Sequence, residues 1–331
     1  MIEPSAREWA RKLAPYSVPS NKRGLFEIAV TLLPYVALWA LTAFVLSMGY
    51  WAGLLLLLPT SGFLLRLFLI QHDCGHGAFF TSRAANDWTG RIIGVLTFTP
   101  YFFWKFAHNM HHAGSGNLSR RGFGDINTLT VAEFAARTPF QRLLYRLYRH
   151  PLVMFGIGPA VTFLLDQRLP LGQVRNGWRP WASTMGTNFS IAFLSTILIY
   201  LVGWKLFLLM QLSTAIIAAT IGVWLFFVQH QFEDMTWDHD DRWNWHEAAL
   251  RGSTHYDLPQ PFRWFTANIG LHHIHHLSSR IPYYHLPKVI RDFPKLREVN
   301  RINFLDSFNC VPLALWDEES RRMLSFKASG F

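Results

Sequence analysis

Histidine is the residue type whose spacing in this chain points most clearly to chemistry. Eight of the 15 histidines fall into three short motifs with helical spacing. The members are His72 and His76 in the first motif, His108, His111 and His112 in the second, and His272, His275 and His276 in the third. Side chains at positions i, i+3 and i+4 share one face of a helix. Each motif therefore predicts a helix that presents an arc of imidazoles.

The number of these histidines predicts a site for two metal ions. Imidazole suits zinc, copper, iron and nickel, and a single tetrahedral zinc would use only four ligands. In di-metal helix bundles, ligands from facing helices converge in the same way. His230 is predicted as a ninth ligand, because it ends an apolar segment as His72 does. A lone histidine would more simply be a hydrogen-bonded side chain, but three motifs favour metal binding.

Four residues beside the motifs have two interpretations each. Asp73 either orients a ligating imidazole through its other ring nitrogen or caps a helix. Asn268 either faces the metals or caps the third-motif helix. His273 lies at the edge of its arc and is expected to support a ligand rather than bind metal. Arg66 lies within an apolar segment, where an arginine either marks a partner or functional site or extends to the membrane surface.

Composition predicts a membrane protein. Half of the chain is hydrophobic and 16% is charged, against about 25% charged in soluble domains. The net charge of +10 suits loops that face anionic lipid, and we predict no nucleic-acid partner because no basic stripe or nucleic-acid motif is visible. The two cysteines exclude a disulfide scaffold and any site built from four cysteines.

Four apolar segments are long enough to cross a membrane. They are residues 26–48, 50–70, 187–203 and 206–228. We predict an all-α integral membrane fold, one domain over residues 1–331, with two helical hairpins and a helical cap formed by residues 71–186 and 229–331. Residues 92–104 and 152–165 are too short to cross and predict interfacial or re-entrant helices. The polar N-terminus predicts no cleaved signal peptide.

Positive charge predicts the orientation. All 31 lysines and arginines except Arg66 and Lys205 lie in the N-terminal segment or the two parts of the cap. With four spans these segments share one side, and the positive-inside rule makes it the cytoplasm. Both termini and all three motifs are therefore predicted to face the cytoplasm.

The motifs and their flanking sequence resemble the integral-membrane fatty acid desaturases. The pattern His-x3-His, His-x2-His-His, His-x2-His-His is present, and so is similar flanking text: HDCGHGAFF at 72–80, VQHQFE at 228–233 and NIGLHHIHHLSSRIPYY at 268–284. The text is most similar to that of bacterial and plastid-type Δ12 (omega-6) acyl-lipid enzymes. The resemblance extends over about residues 60–295.

The resemblance implies a function. It implies two Fe2+ ions in a non-haem site, O2 as oxidant, and a cis double bond inserted into an acyl lipid or acyl thioester, in a bacterial inner membrane. Electrons would come from a separate ferredoxin, rubredoxin or cytochrome b5-like carrier, since no haem-binding His-Pro-Gly-Gly string is present. A basic cytoplasmic face would attract an acidic carrier.

Three alternatives remain open. Alkane or fatty-acid hydroxylases and carotenoid hydroxylases or ketolases have similar histidine motifs, and only the flanking text favours desaturation. A histidine-rich metal transporter predicts ionisable residues in several spans, whereas only Arg66 fits. The position of the double bond and the acyl carrier are not predicted by the motifs.

Overall fold

The computed structural model describes residues 5–122 and 124–331 and is mostly helical. Four helical segments are long and apolar enough to cross a membrane: Asn21–Ser47, Trp51–Gly75, Trp178–Val202 and Trp204–His230. The predicted fold class, a helical membrane protein with four candidate spans, is confirmed. Each hairpin turns at a glycine with positive φ, Gly49 (85°) and Gly203 (82°), a conformation that side-chain-bearing residues adopt at a cost.

The elements are numbered here in chain order. The helices are α1 (Ala6–Leu13), α2 (Asn21–Ser47), α3 (Leu57–Gly75), α4 (Arg83–Leu96), α5 (Tyr101–Gly114), α6 (Val131–Ala135), α7 (Pro139–Arg149), α8 (Gly158–Leu164), α9 (Trp178–Val202), α10 (Trp204–His230), α11 (Trp245–Arg251), α12 (Phe262–Phe265), α13 (His272–Leu277) and α14 (Leu286–Asp292). The strands are β1 (Leu129–Thr130), β2 (His255–Asp257), β3 (Arg301–Asn303), β4 (Leu313–Asp317) and β5 (Arg322–Ser325).

The first helix begins at Asn21 instead of residue 26, and two further boundaries that differ from the predicted ones concern the cap. The second helix continues to Gly75, past the predicted end at residue 70. The third begins at Trp178 instead of residue 187. Hydropathy marks only the part of a helix that suits lipid. The polar start of α9 stays helical because it packs on α5, where the Ser183 hydroxyl accepts the Phe102 N–H at 3.3 Å.

The two short apolar segments differ from each other: the first is interrupted by a turn, and the second is helical with a π-helical turn. Residues 92–104 are divided between α4 and α5 by a turn at Phe98, which has a φ of 55°. Residues 152–165 contain a π-helical turn, Val153–Ile157, followed by α8. Neither is among the membrane-length helices of the described residues.

The cap also contains two small sheets that we did not predict. One has the order β1-β4-β5, with β1 parallel to β4 and β5 antiparallel to it. In the other, β2 and β3 are parallel. Strands of two to five residues are too short for an alternating pattern to be read from sequence.

The third histidine motif lies beside the second sheet. The Tyr256 N–H donates to the Gly270 carbonyl at 2.7 Å, and the His273 N–H donates to the Thr254 carbonyl at 3.3 Å. These bonds fix the start of α13 against β2. Within the membrane region, α3 and α10 form the centre of the bundle, and α9 is the most exposed span.

Candidate metal centre

Nine histidines converge into two groups at the ends of α3 and α10. The first group is His72, His76, His108, His112 and His275, and the second is His111, His230, His272 and His276. Within each group the potential ligand atoms all lie within 4.8 Å of one another. These nine are the residues that sequence analysis proposed as ligands.

Each histidine triplet is divided between the two groups, which the sequence did not reveal. On α5, His108 and His112 face the first group, whereas His111 faces the second. On α13 the assignment is reversed: His275 joins the first group, and His272 and His276 join the second. Residues i and i+4 stay together because they lie within about 40° of each other on the helix surface, and the i+3 residue turns toward the other group.

The nitrogens of the second group face one another in a ring. His111 Nε2 lies 3.1 Å from His230 Nε2 and 3.3 Å from His276 Nε2. His272 Nε2 lies 2.8 Å from His230 Nε2 and 3.1 Å from His276 Nε2. A neutral imidazole has one donor and one acceptor nitrogen, so four converging Nε2 atoms suit a shared cation better than mutual hydrogen bonding. Metal–imidazole bonds of about 2.0–2.1 Å fit this spacing.

The first group has the same character. His108 Nε2 lies 3.0 Å from His76 Nε2 and 3.1 Å from His112 Nε2, and His275 Nε2 lies 3.1 Å from His112 Nε2. His72 Nε2 is buried and has no hydrogen-bond partner among the described residues. An orphaned buried nitrogen is costly, and a metal ligand role accounts for it.

Burial of these histidines favours neutral imidazole, which is the form that binds metal. It lowers the pKa of six of them well below the ordinary value, and repulsion from neighbouring imidazoles lowers it further. The six are His76, His108, His112, His272, His275 and His276.

Polar groups behind the histidines hold their rings in place. Asp73 Oδ1 lies 3.1 Å from His72 Nδ1, and Asp73 Oδ2 accepts the Tyr283 N–H at 2.7 Å. Asp125 accepts a hydrogen bond from His111 Nδ1. Such partners fix the tautomer and direct the opposite nitrogen to the metal. Asp125 was missed by sequence analysis, because it lies in a loop with no motif around it.

Arg66 is buried and paired, so the interpretation that it extends to the membrane surface is wrong. Its guanidinium lies 2.6 Å from Glu27 Oε2, and both side chains are 2% exposed. It also donates to the Trp264 carbonyl and to Thr31 Oγ1. Tyr283 O–H donates to Glu27 Oε2 at 2.9 Å. Since the Tyr283 N–H bonds Asp73, this network connects α2 and α3 to the groups that orient His72.

His273 and Asn268 do not reach either group. His273 Nε2 donates to the Leu296 carbonyl at 2.8 Å, which points the ring away from the ligands. The Asn268 amide donates to the Tyr283 carbonyl at 3.4 Å. Among the described residues, α13 begins after Leu271 without a side-chain cap. Both interpretations of Asn268, metal-facing and capping, are therefore wrong.

An apolar cavity of about 500 Å3 extends from the histidines between the spans. His72, His108 and His272 line one end, so it contacts both groups. Trp104 lines it as well and stacks on His108, with ring centroids 4.7 Å apart. Pockets for small ligands measure about 300–1,000 Å3. Its α10 wall includes four small residues, Ala215, Ala218, Ala219 and Gly222, which leave room for a chain-like ligand.

These features define a class: a membrane protein with four candidate spans and a histidine-rich site that can hold metal next to an apolar cavity. The comparisons with known proteins identify the family. Residues 49–301 match the family model described as fatty acid desaturase, and the chain belongs to this family, whose members are oxidoreductases. The predicted resemblance is confirmed.

Individual relatives support this assignment. A fatty acid desaturase of Bacillus subtilis (strain 168) is 39% identical over 97% of this chain and 91% of its own length. The sn-1 acyl-lipid omega-3 desaturase (ferredoxin) of Synechocystis is 26% identical over 66% of this chain and 61% of its own. The sn-1 oleoyl-lipid 12-desaturase of Anabaena variabilis is 24% identical over 74% of this chain and 72% of its own.

Proposed function

We propose that this enzyme uses O2 and two iron ions to insert a cis double bond into the acyl chain of a membrane lipid. The observation that carries the proposal is the apolar cavity that ends at His72, His108 and His272. A hydrocarbon chain in this cavity would place its methylenes against residues of both histidine groups.

Each group would hold one iron, with the nine histidines as ligands. Imidazole suits iron as well as zinc, copper and nickel, and we propose iron because the histidine motifs resemble those of non-haem di-iron desaturases. Asp73 and Asp125 would orient one ligand in each group. Two iron ions bound there would supply the chemistry that oxidises an unactivated C–H bond with O2. Acid–base groups alone do not perform this reaction.

The balance of the reaction requires an external reductant. Two hydrogen atoms leave neighbouring methylenes, and a double bond forms between the two carbons. Reduction of O2 to two waters takes four electrons, of which the substrate supplies two and an electron carrier two, together with two protons from solvent. We propose an acidic one-electron carrier such as ferredoxin, rubredoxin or a cytochrome b5-like protein, because the chain carries a net charge of +10 and electrostatic steering favours acidic partners.

The protein's own contribution is to position the substrate. Because Trp104 stacks on His108 and lines the cavity, it restricts the path of the chain beside the first group. The apolar wall excludes water from the reacting carbons, and a displacement of about 1 Å can cost ~100-fold in rate. Regioselectivity would therefore depend on how far the acyl chain enters the cavity.

We propose Δ12 (omega-6) desaturation of a monounsaturated acyl lipid. The flanking text of the histidine motifs, at 72–80, 228–233 and 268–284, supports this choice, and the relatives include both a 12-desaturase and an omega-3 desaturase. We further propose that the four helices cross a bacterial inner membrane, with both termini and the cap in the cytoplasm.

Expression in a bacterial host that makes monounsaturated but no polyunsaturated lipids tests the function. Gas chromatography–mass spectrometry of the host lipids is expected to show new dienes with a Δ12 double bond. The matched control is His72→Ala/His76→Ala, which is expected to insert into the membrane and yield no diene. Hydroxy acids in place of dienes would contradict desaturation and favour the hydroxylase alternative. Dienes at another position would contradict only the Δ12 assignment.

A further inference from the structure

We propose that Arg175 and Arg179, next to the outer opening of the cavity, bind the phosphate of the phospholipid whose acyl chain occupies the cavity. The inference rests on the proposed function, because it assumes that the cavity holds an acyl chain.

The position of the opening is the first argument. Four residues of the cavity wall are exposed, and three of them, Thr162, Asp166 and Leu171, lie in α8 and the stretch that follows it; the fourth is Gly124. We call the first three the cavity mouth. Arg168 fixes this stretch by hydrogen bonds to Asn188 Oδ1, at 2.9 Å, and to the Phe98 carbonyl. The mouth is thus anchored both to α9 and to the turn before α5.

The surface around the mouth has the character of a membrane interface. Its exposed side chains are large and apolar: Leu165 (64% exposed), Leu169 (47%), Val174 (47%), Trp178 (73%) and Trp181 (38%). Trp178 and Trp181 lie in the first turn of a span, where tryptophan is typical of the head-group level. An acyl chain can therefore enter the mouth directly from the bilayer.

Two arginine side chains at this level have no partner among the described residues. Arg175 and Arg179 are exposed, and neither side chain pairs with an acidic group or hydrogen-bonds to another residue within 5–122 and 124–331. Residues 158–186 contain one acidic residue, Asp166, against three arginines. Guanidinium groups bind phosphate oxygens in bidentate fashion, so an anionic head group suits this site.

A buried polar side chain between the mouth and the cavity is the second, independent observation. Gln167 lines the cavity and is 7% exposed, yet its Oε1 has no partner among the described residues. Buried amides are normally hydrogen-bonded. The ester groups of a phospholipid follow directly after the phosphate. With its amide turned by 180°, Gln167 places its nitrogen at this position and can donate to an ester carbonyl.

The test compares charged and uncharged lipids that carry the same acyl chains. Native mass spectrometry counts phosphatidylglycerol bound to the purified full-length protein in neutral detergent. Desaturation is then measured with phosphatidylglycerol and with diacylglycerol. Arg175→Gln/Arg179→Gln is expected to weaken phosphatidylglycerol binding and raise its KM roughly 10- to 30-fold, with kcat within about twofold and diacylglycerol turnover unchanged. Lys22→Gln is the matched control, since Lys22 is an exposed cation in the first turn of α2.

The outcomes separate this site from the proposed function. Equal phosphatidylglycerol binding by wild type and the double variant would overturn the site. So would a double variant whose KM rises as much for diacylglycerol as for phosphatidylglycerol, or a Lys22→Gln variant whose KM for phosphatidylglycerol rises as much as that of the double variant. If the double variant had a raised KM only for an acyl thioester or an acyl carrier protein, the arginines would bind a soluble substrate. That result would overturn the proposal that they bind a membrane phospholipid. Wild-type protein that binds phosphatidylglycerol through these arginines but forms no desaturated product would refute the function and leave the site standing.

Discussion

The buried pair between Glu27 and Arg66 gives the most quantitative prediction. We consider Glu27→Gln, which keeps the shape of the side chain and removes its charge. The guanidinium lies 2.6 Å from the carboxylate, and both side chains are 2% exposed. Removal of one partner of a buried ion pair costs about 3–5 kcal/mol, because the other charge stays buried, whereas apolar replacement of both partners is often neutral.

The same change is expected to loosen the first histidine group. Tyr283 bonds Glu27 through its hydroxyl and Asp73 through its N–H, and Asp73 orients His72. We expect Glu27→Gln to lower both the unfolding temperature and the iron content. Loss of a partner behind a metal ligand typically costs about 10- to 100-fold in metal affinity.

A double-mutant cycle measures the coupling. Glu27→Leu, Arg66→Met and the double variant are compared by thermal unfolding in detergent, together with iron analysis. The double variant is expected to be more stable than either single variant. Arg23→Gln is the control: Arg23 also pairs with Glu27 but is 53% exposed, and exposed pairs contribute about 0–1 kcal/mol. Strictly additive effects of the two single variants would refute the reasoning.

Three further predictions follow from the site and the cavity. Asp125→Asn is expected to reduce iron affinity about 10- to 100-fold, measured by chelator competition. Unchanged affinity would show that Asp125 does not orient His111 for metal binding. A Cβ at Gly222 would lie 3.6 Å from Leu65, so Gly222→Ala is expected to fold normally. Gly222→Phe is expected to shift the product toward shorter acyl chains, measured by gas chromatography. An unchanged chain-length distribution would show that the substrate does not pass this wall. The lowered pKa values of histidines such as His76 and His276 stabilise the folded, metal-binding state above the unfolded pKa of about 6.5. That stabilisation is lost as pH falls below 6.5, because the unfolded chain then takes up protons that the folded site does not. The unfolding temperature is therefore expected to be lower at about pH 5 than at about pH 7.5, and equal unfolding temperatures would contradict neutral imidazoles in the folded site.

Local spacing explains why so much of the site was predictable. Residues such as His108 and His112 share a helix face whatever the rest of the chain does. Hydropathy located all four membrane-length helices for a similar reason, since a span depends on its own composition. Neither signal carries tertiary information, so the division of the triplets between the two groups was not predictable.

The missed features depend on contacts between distant segments. Asp125 bonds His111 from a loop, and nothing in its neighbourhood marks it as different from an exposed aspartate. Glu27 lies at the N-terminal edge of the predicted first span, and only the packing of α2 on α3 shows that it neutralises Arg66. The small sheets join segments far apart in sequence, such as β2 and β3. Helix α9 extends to Trp178 because it has the cap to pack against.

The central claim, two irons held by nine histidines, is tested most directly by metal analysis of the purified protein. Inductively coupled plasma mass spectrometry combined with a protein assay is expected to give two irons per chain. His76→Ala changes only the first group and His230→Ala only the second, so each should lower the iron content of wild type. One zinc and no iron in the active wild-type protein would contradict the account.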